Sequence, residues 1–254
     1  MVKLWSIQHE ASTSTLDLRA NVCSVQFSPH SPHIFAAGAA NYRIFLYDLR
    51  HTARALHVMP GHGRAVSYVR WLSPTALVSA STDNCLKLWA LDRLGPDGLP
   101  RCVQTFRGHT NERNFTGLSV SPDGYICCGS ENNRVFCYHQ SMPMPVASYD
   151  FASGGGGGGL GGLGGVSGGD SMLAGGVGGS MVGGGLGVGG GAGDTAASGA
   201  AGDGGGGGAG GAGAGGGGSS APPGQFVSSV CWSRRSNLLL AANSVGAIKL
   251  FTLS

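Results

Sequence analysis

Two Gly-His pairs, Gly61-His62 and Gly108-His109, hold the residues of this chain best suited to chemistry. A histidine can act as a general base or a metal ligand near neutral pH. The surroundings do not support either role. No H-E-x-x-H, G-x-S-x-G or P-loop pattern is present. The glycine tract matches G-x-G-x-x-G many times simply because it is glycine, and it has no lysine and no strand–turn–helix context. The run "SPHSPH" at 28–33 reads as a proline-punctuated turn rather than a metal site. Seven cysteines (Cys23, Cys85, Cys102, Cys127, Cys128, Cys137 and Cys231) contain no C-x-x-C pair. Their spacing fits neither a zinc knuckle nor a disulfide framework, and reads as reduced strand cysteines of an intracellular protein. The sequence therefore predicts no enzyme, no cofactor and no metal, and a binding module instead.

The elements that would position these histidines are repeated. "NVCSVQFSP" (21–29), "AVSYVRWLSP" (65–74), "NFTGLSVSP" (114–122) and "FVSSVCWS" (226–233) align with one another. Each is followed by a run of small residues and then by an alternating run: "RIFLYDLR", "CLKLWALD", "RVFCYHQ" and "AIKLFTLS". "VKLWS" at 2–6 is the end of one more unit. The closing aromatics are Trp5, Tyr47, Trp89, Tyr138 and Phe251. Short alternating strands with a period of about 40–45 residues predict an all-β propeller. Val25, Val69, Leu118 and Val230 share one phase with Phe27, Trp71, Val120 and Trp232, which predicts packing against the neighbouring blade.

The second full unit carries the pattern of a WD repeat: His62, Ser79, Asp83 and Trp89. Its histidine is expected to bridge the turn aspartate and the strand serine, with the indole N–H completing the chain. His109 takes the same place in the third unit, where the pattern decays: Asn132, like Asn41 in the first unit, replaces the aspartate. The fold class is thus a WD-repeat β-propeller, about four blades plus one orphan strand. Propellers usually close with six to eight blades, so residues 1–254 read as the C-terminal part of a longer protein, with sheet edges left unpaired. Blades are expected over 1–152, the last one over 225–254. Between them, 153–224 holds 39 of the 49 glycines and only three charges, Asp170, Asp194 and Asp203. That segment reads as a disordered insertion.

The net charge of +3 is mild and no basic run suggests nucleic acid. The N-terminus is no signal peptide, and the uncharged run 171–193 is too glycine-rich for a membrane span. In a blade, the loop into the first strand and the turn between strands two and three lie at one end. Asn41, Tyr42, Arg64, Glu112, Arg113 and Phe115 should therefore surround one rim of the channel. Val22, Val66 and Val227 open the first strands, and Phe115 takes their place in the third unit. It reads either as a larger core residue or as an aromatic pocket wall beside the basic Arg64 and Arg113, suited to an extended peptide with apolar and acidic residues.

"GHGRAVSYVRWL", "SASTDNCLKLW", "GHTNERNFTGLSV", "CGSENNRVFCYH" and "FVSSVCW" closely resemble the WD-repeat domain of the plant photomorphogenesis repressors. That family contains the constitutive photomorphogenic ubiquitin ligase and the suppressor of phytochrome A proteins. "NYRIFLYDLR", "SMPMPVASYDF" and "GQFVSSVCW" look more like the suppressor branch. The resemblance implies a seven-bladed propeller in a light-signalling ubiquitin ligase complex, nuclear and also cytoplasmic. It implies partners with Val-Pro motifs, among them transcription factors and photoreceptors, whose acidic flanks meet a basic rim. By the same resemblance Arg64 falls at a rim basic position and Phe115 at a pocket aromatic, while Tyr42 departs from the histidine of the ligase branch. "YDLR" at 47–50 resembles the W-D-x-R pattern that docks propellers to the cullin-4 adaptor, with Asp48 and Arg50 in the contact. A strand-end arginine paired with Asp48 is the plainer reading of the same residues.

Overall fold

The computed structural model describes residues 1–151, 161–162 and 224–252. The expectation of disorder over 153–224 falls almost wholly outside these residues. The described chain is all strand and turn, arranged as sequential antiparallel sheets.

An opening pair, β1 (Val2–Trp5) and β2 (Ser12–Leu16), is followed by three complete blades. Blade 1 runs β3 (Val22–Phe27), β4 (Ile34–Ala39), β5 (Ile44–Asp48) and β6 (His57–Met59). Blade 2 runs β7 (Val66–Ser73), β8 (Ala76–Ser81), β9 (Cys85–Leu94) and β10 (Pro100–Phe106). Blade 3 runs β11 (Leu118–Val120), β12 (Tyr125–Gly129), β13 (Arg134–His139) and β14 (Met142–Asp150), whose outer edge pairs with β15 (Gly161–Gly162). Blade 4 has three strands, β16 (Val227–Trp232), β17 (Leu238–Asn243) and β18 (Ile248–Thr252). The orphan strand expected at 2–6 is β1, and β2 pairs with it from Val2↔Leu16 to Trp5↔Ser12.

Four apolar clusters hold the sheets together, one at each junction between consecutive sheets. The repeated phase of the first strand explains the three that join complete blades to their successors. Val69 and Trp71 pack on Ile44, Leu46 and Met59 of the preceding blade. Val230 and Trp232 likewise pack on Cys127, Val135 and Cys137. The opposite phase reaches forward: Gln26 accepts the Trp71 amide at 3.0 Å, and Ser119 accepts the Trp232 amide at 2.9 Å. On β3 the same apolar phase is open, with Val25 and Phe27 53% and 54% exposed.

The small residues of each second strand follow from the taper. A Cβ on Gly38 would stand 2.8 Å from Val66, and one on Gly129 would run into the carbonyls of Thr116 and Val227. Inner strands of adjacent blades converge there, and only small side chains fit.

Candidate functional site: the rim and its bracing

In blade 2 the loop before β7 is braced from beneath. His62 Nδ1 lies 2.9 Å from Asp83 Oδ2, and His62 Nε2 lies 2.7 Å from Ser79 Oγ. The Trp89 indole donates to the same Ser79 hydroxyl at 2.9 Å, and Gly63 N–H donates to Asp83 at 2.8 Å. Burial pushes the Asp83 carboxyl up, but hydrogen bonds from His62 and Gly63 outweigh it and hold the group at about 2. Every ring nitrogen is engaged within the blade, which leaves this histidine nothing to offer a substrate.

Blade 3 solves the same problem with other residues. Cys128 and Asn132 occupy the places of Ser79 and Asp83, so His109 turns to Tyr138: Nδ1 lies 2.9 Å from the phenol oxygen. Burial depresses the His109 imidazole to about 4 and raises the Tyr138 phenol. Among the described residues no group of three or more His, Cys, Asp or Glu is placed to hold a metal ion.

Above this bracing the loops form the rim. Arg64 Nη1 donates to the Glu112 carbonyl at 3.4 Å, tying the loop before β7 to the loop before β11. The Glu112 carboxylate accepts from Asn84 Nδ2 at 3.2 Å, so this side chain is committed to the neighbouring turn. Glu131, which the sequence reading passes over, organises the 110–114 loop. It accepts the amides of Arg113 and Asn114, each at 2.6 Å. Burial raises its carboxyl, and the amides of Asn114, Arg113 and Glu112 more than offset that, leaving it lowered. The Arg113 side chain itself is exposed.

Phe115 does not open its strand as the valines of the other units do, and the core reading of this residue does not hold. Val22, Val66 and Val227 do open their strands, but β11 begins only at Leu118. Gly117 adopts φ +70 against the backbone of Ser229 and Val230, a conformation that breaks the extended run. Phe115 is consequently swung out of the core: 46% exposed, where Val66 and Val227 are at 0%. Its ring meets Tyr68 edge-on at 6.0 Å, and the Arg70 guanidinium lies over Tyr68 at 5.4 Å. Phe115, Tyr68 and Arg70 thus form a continuous aromatic–cationic strip. Arg70 is largely desolvated, which lowers its pKa, and among the described residues it has no carboxylate partner. Tyr68 and Arg70 were legible in principle. Gln26, Arg70, Ser119 and Cys231 share one position in the repeat, and only blade 2 charges it.

Tyr42 sits at the tip of the β4–β5 turn with φ +70. Asn84, Asn133 and Gly246 occupy the same left-handed place in the other blades, with φ of 62, 57 and 85. Asparagine and glycine suit that conformation, whereas a bulky aromatic does not, at a cost of about 1–2 kcal/mol. Strain of this kind concentrates at functional surfaces. The turn that carries Tyr42 lies at the same end of the blade as the loop before β7, but among the described residues no hydrogen bond or ring contact joins Tyr42 to Arg64 or Phe115.

The turn after β5 faces the other end. Asp48 accepts from Arg50 Nη2 at 2.6 Å and from Nε at 3.0 Å, which holds the Asp48 carboxyl well below the usual range. The plainer strand-end pairing is therefore formed, while the Arg50 side chain stays 64% exposed.

Sequential four-stranded sheets, taper and His-Asp-Ser-Trp bracing define a WD-repeat β-propeller protein. The family model "WD domain, G-beta repeat" matches residues 53–90 and 100–139. The chain is 39% identical over 254 residues to Protein SUPPRESSOR OF PHYA-105 1 of Arabidopsis thaliana, covering 99% of this chain and 19% of that protein. It is 48% identical over 152 residues to E3 ubiquitin-protein ligase COP1 of the same plant, covering 60% and 22%. Its WD repeats are similar to, and fit, the WD domain shared by these photomorphogenesis-repressor relatives. The chain spans about a fifth of the length of these curated relatives. Among solved structures, the computationally designed Ika4 protein matches with a TM-score of 0.55 at 13% identity, over 94% of this chain and 96% of that one, a likeness of fold alone.

Proposed function

We propose that this propeller is a non-catalytic recognition module of a light-signalling ubiquitin ligase complex, and that its rim binds extended peptides with a Val-Pro motif and acidic flanks. The observation that carries this reading is the strip of Phe115, Tyr68 and Arg70. An exposed Phe115 backed by a half-buried Tyr68 offers a wall for a small apolar side chain and a proline ring. A desolvated guanidinium without a carboxylate partner favours an acidic ligand. Arg64 and Arg113 extend that charge to the loop tips, and Tyr42 supplies a further exposed aromatic at this end. The relatives support the setting: one is named an E3 ubiquitin-protein ligase. In this reading the partners are transcription factors and photoreceptors in the nucleus, and also in the cytoplasm.

The test is a panel of fluorescent peptides, with Val-Pro intact or changed to Ala-Ala and with acidic or amide flanks. Tight binding that depends on both features supports the reading. Equal binding of all four peptides would reduce the rim to a general protein-interaction surface. Docking to a cullin-4 adaptor through Arg50 is the companion proposal, supported by the exposure of that side chain. Arg50→Ala should lower adaptor recovery while peptide binding is retained, because distant surfaces behave nearly additively.

A further inference from the structure

Antiparallel strands place the turns β3–β4, β5–β6 and β7–β8 at the end of the blades opposite the rim. Two adjoining depressions open there, and Leu56 is common to both. The first is a cleft of about 250 Å³ between blades 1 and 2, lined by Leu46, Leu56, His57, Trp71, Pro74 and Leu91. Its floor is well set: Leu46 and Trp71 are nearly fully buried, and the Trp71 indole is anchored on the Gln26 carbonyl at 3.3 Å. The second, about 390 Å³, is lined by Asp48, His51, Arg54, Ala55 and Leu56.

The two differ sharply in chemistry. The cleft is apolar except for imidazole and hydroxyl groups, while the second depression carries Arg54, which has no ion-pair partner among the described residues. Asp48 is the one carboxylate among the residues lining either depression, and Arg50 already neutralises it. Leu56 stands between them, 52% exposed although it is a large aliphatic. Its backbone is pinned to the Leu46 carbonyl at 2.7 Å, so the ridge has a fixed position.

We propose that this bipartite surface is a second peptide-docking site, and that its ligand is an acidic peptide segment carrying one large apolar side chain. The apolar side chain fills the cleft over Trp71 and against Leu56. A carboxylate beside it pairs with the Arg54 guanidinium, whose planar fork matches a carboxylate. This site is independent of the rim reading, since no residue is shared between them.

The experiment uses the full 254-residue chain and fluorescein-labelled pentapeptides Glu-Asp-X-Asp-Glu, with X as Leu, Trp or Ala, in anisotropy titrations. The Leu or Trp peptide should bind at least tenfold more tightly than the Ala peptide. Its Gln-Asn-X-Asn-Gln isostere should bind at least tenfold more weakly. Leu56→Asp and Arg54→Glu should each reduce affinity at least tenfold with unchanged circular dichroism, because both side chains lie at the surface. An excess of Val-Pro peptide should leave the probe bound. Failure of all three peptides to saturate, full affinity in Leu56→Asp, or displacement by Val-Pro peptide would each overturn the proposal. The last outcome would place the acidic probe at the rim.

Discussion

The Phe115 ring stands edge-on to Tyr68, with centroids 6.0 Å apart and planes inclined by 72°. The contact joins blade 3 to blade 2 outside the core. Nearly half of the Phe115 surface is open to solvent, whereas the valines at the same place in blades 2 and 4 are fully buried.

Phe115→Val should therefore leave the fold nearly untouched, changing stability by less than about 1 kcal/mol. Leu118→Ala, three residues on and fully buried, should cost about 2–5 kcal/mol. The same Phe115→Val protein should lose about 2 kcal/mol or more of Val-Pro peptide affinity. Urea unfolding and anisotropy on the two variants separate packing from recognition.

Tyr42→Asn should raise stability by about 1 kcal/mol, since asparagine tolerates the left-handed turn that Tyr42 is forced to adopt. The reading of Tyr42 as a rim contact requires that peptide binding weaken as stability rises. A variant that gains stability and keeps full affinity would make the strained tyrosine functionally idle.

Acid should erode the protein's stability over two pH windows. Burial favours neutral His109 and depresses its pKa to about 4, so the unfolded chain takes up that proton first. Stability contributed by this group is present above about pH 6.5 and is lost as the pH falls toward 4. Asp83 is also depressed, to about 2, so its contribution is present above about pH 4 and is lost as the pH falls toward 2. Urea midpoints measured from pH 8 to 3 should show the upper limb vanish in His109→Gln. An unchanged upper limb would show that another group titrates there.

Gly129→Ala should destabilise by about 1–3 kcal/mol or more, because the new methyl group meets the carbonyls of Thr116, just before β11, and of Val227 in β16. Gly98→Ala meets nothing nearby and should act only through its positive φ. Thermal melts of the pair compare crowding with backbone strain.

The residues alone determined the blade architecture, the phase of the first strands and the bracing in blade 2. Those features are periodic and local: Trp71 and Trp232 recur at one position, and His62, Ser79, Asp83 and Trp89 lie within a single repeat. What only the tertiary structure decided lies between repeats. That Phe115 leaves the core depends on Gly117 being pressed against Ser229 and Val230, more than a hundred residues away in sequence. That Phe115 meets Tyr68 of the preceding blade, and that Glu131 gathers the 110–114 loop, are contacts between loops and blades that no repeat pattern encodes. The cleft over Trp71 likewise exists only where two blades meet. Periodicity specifies which face of a strand is buried, because side chains alternate along it. It does not specify which side chains of neighbouring blades converge at the ends, because loop geometry sets that, and loop geometry follows from long-range packing.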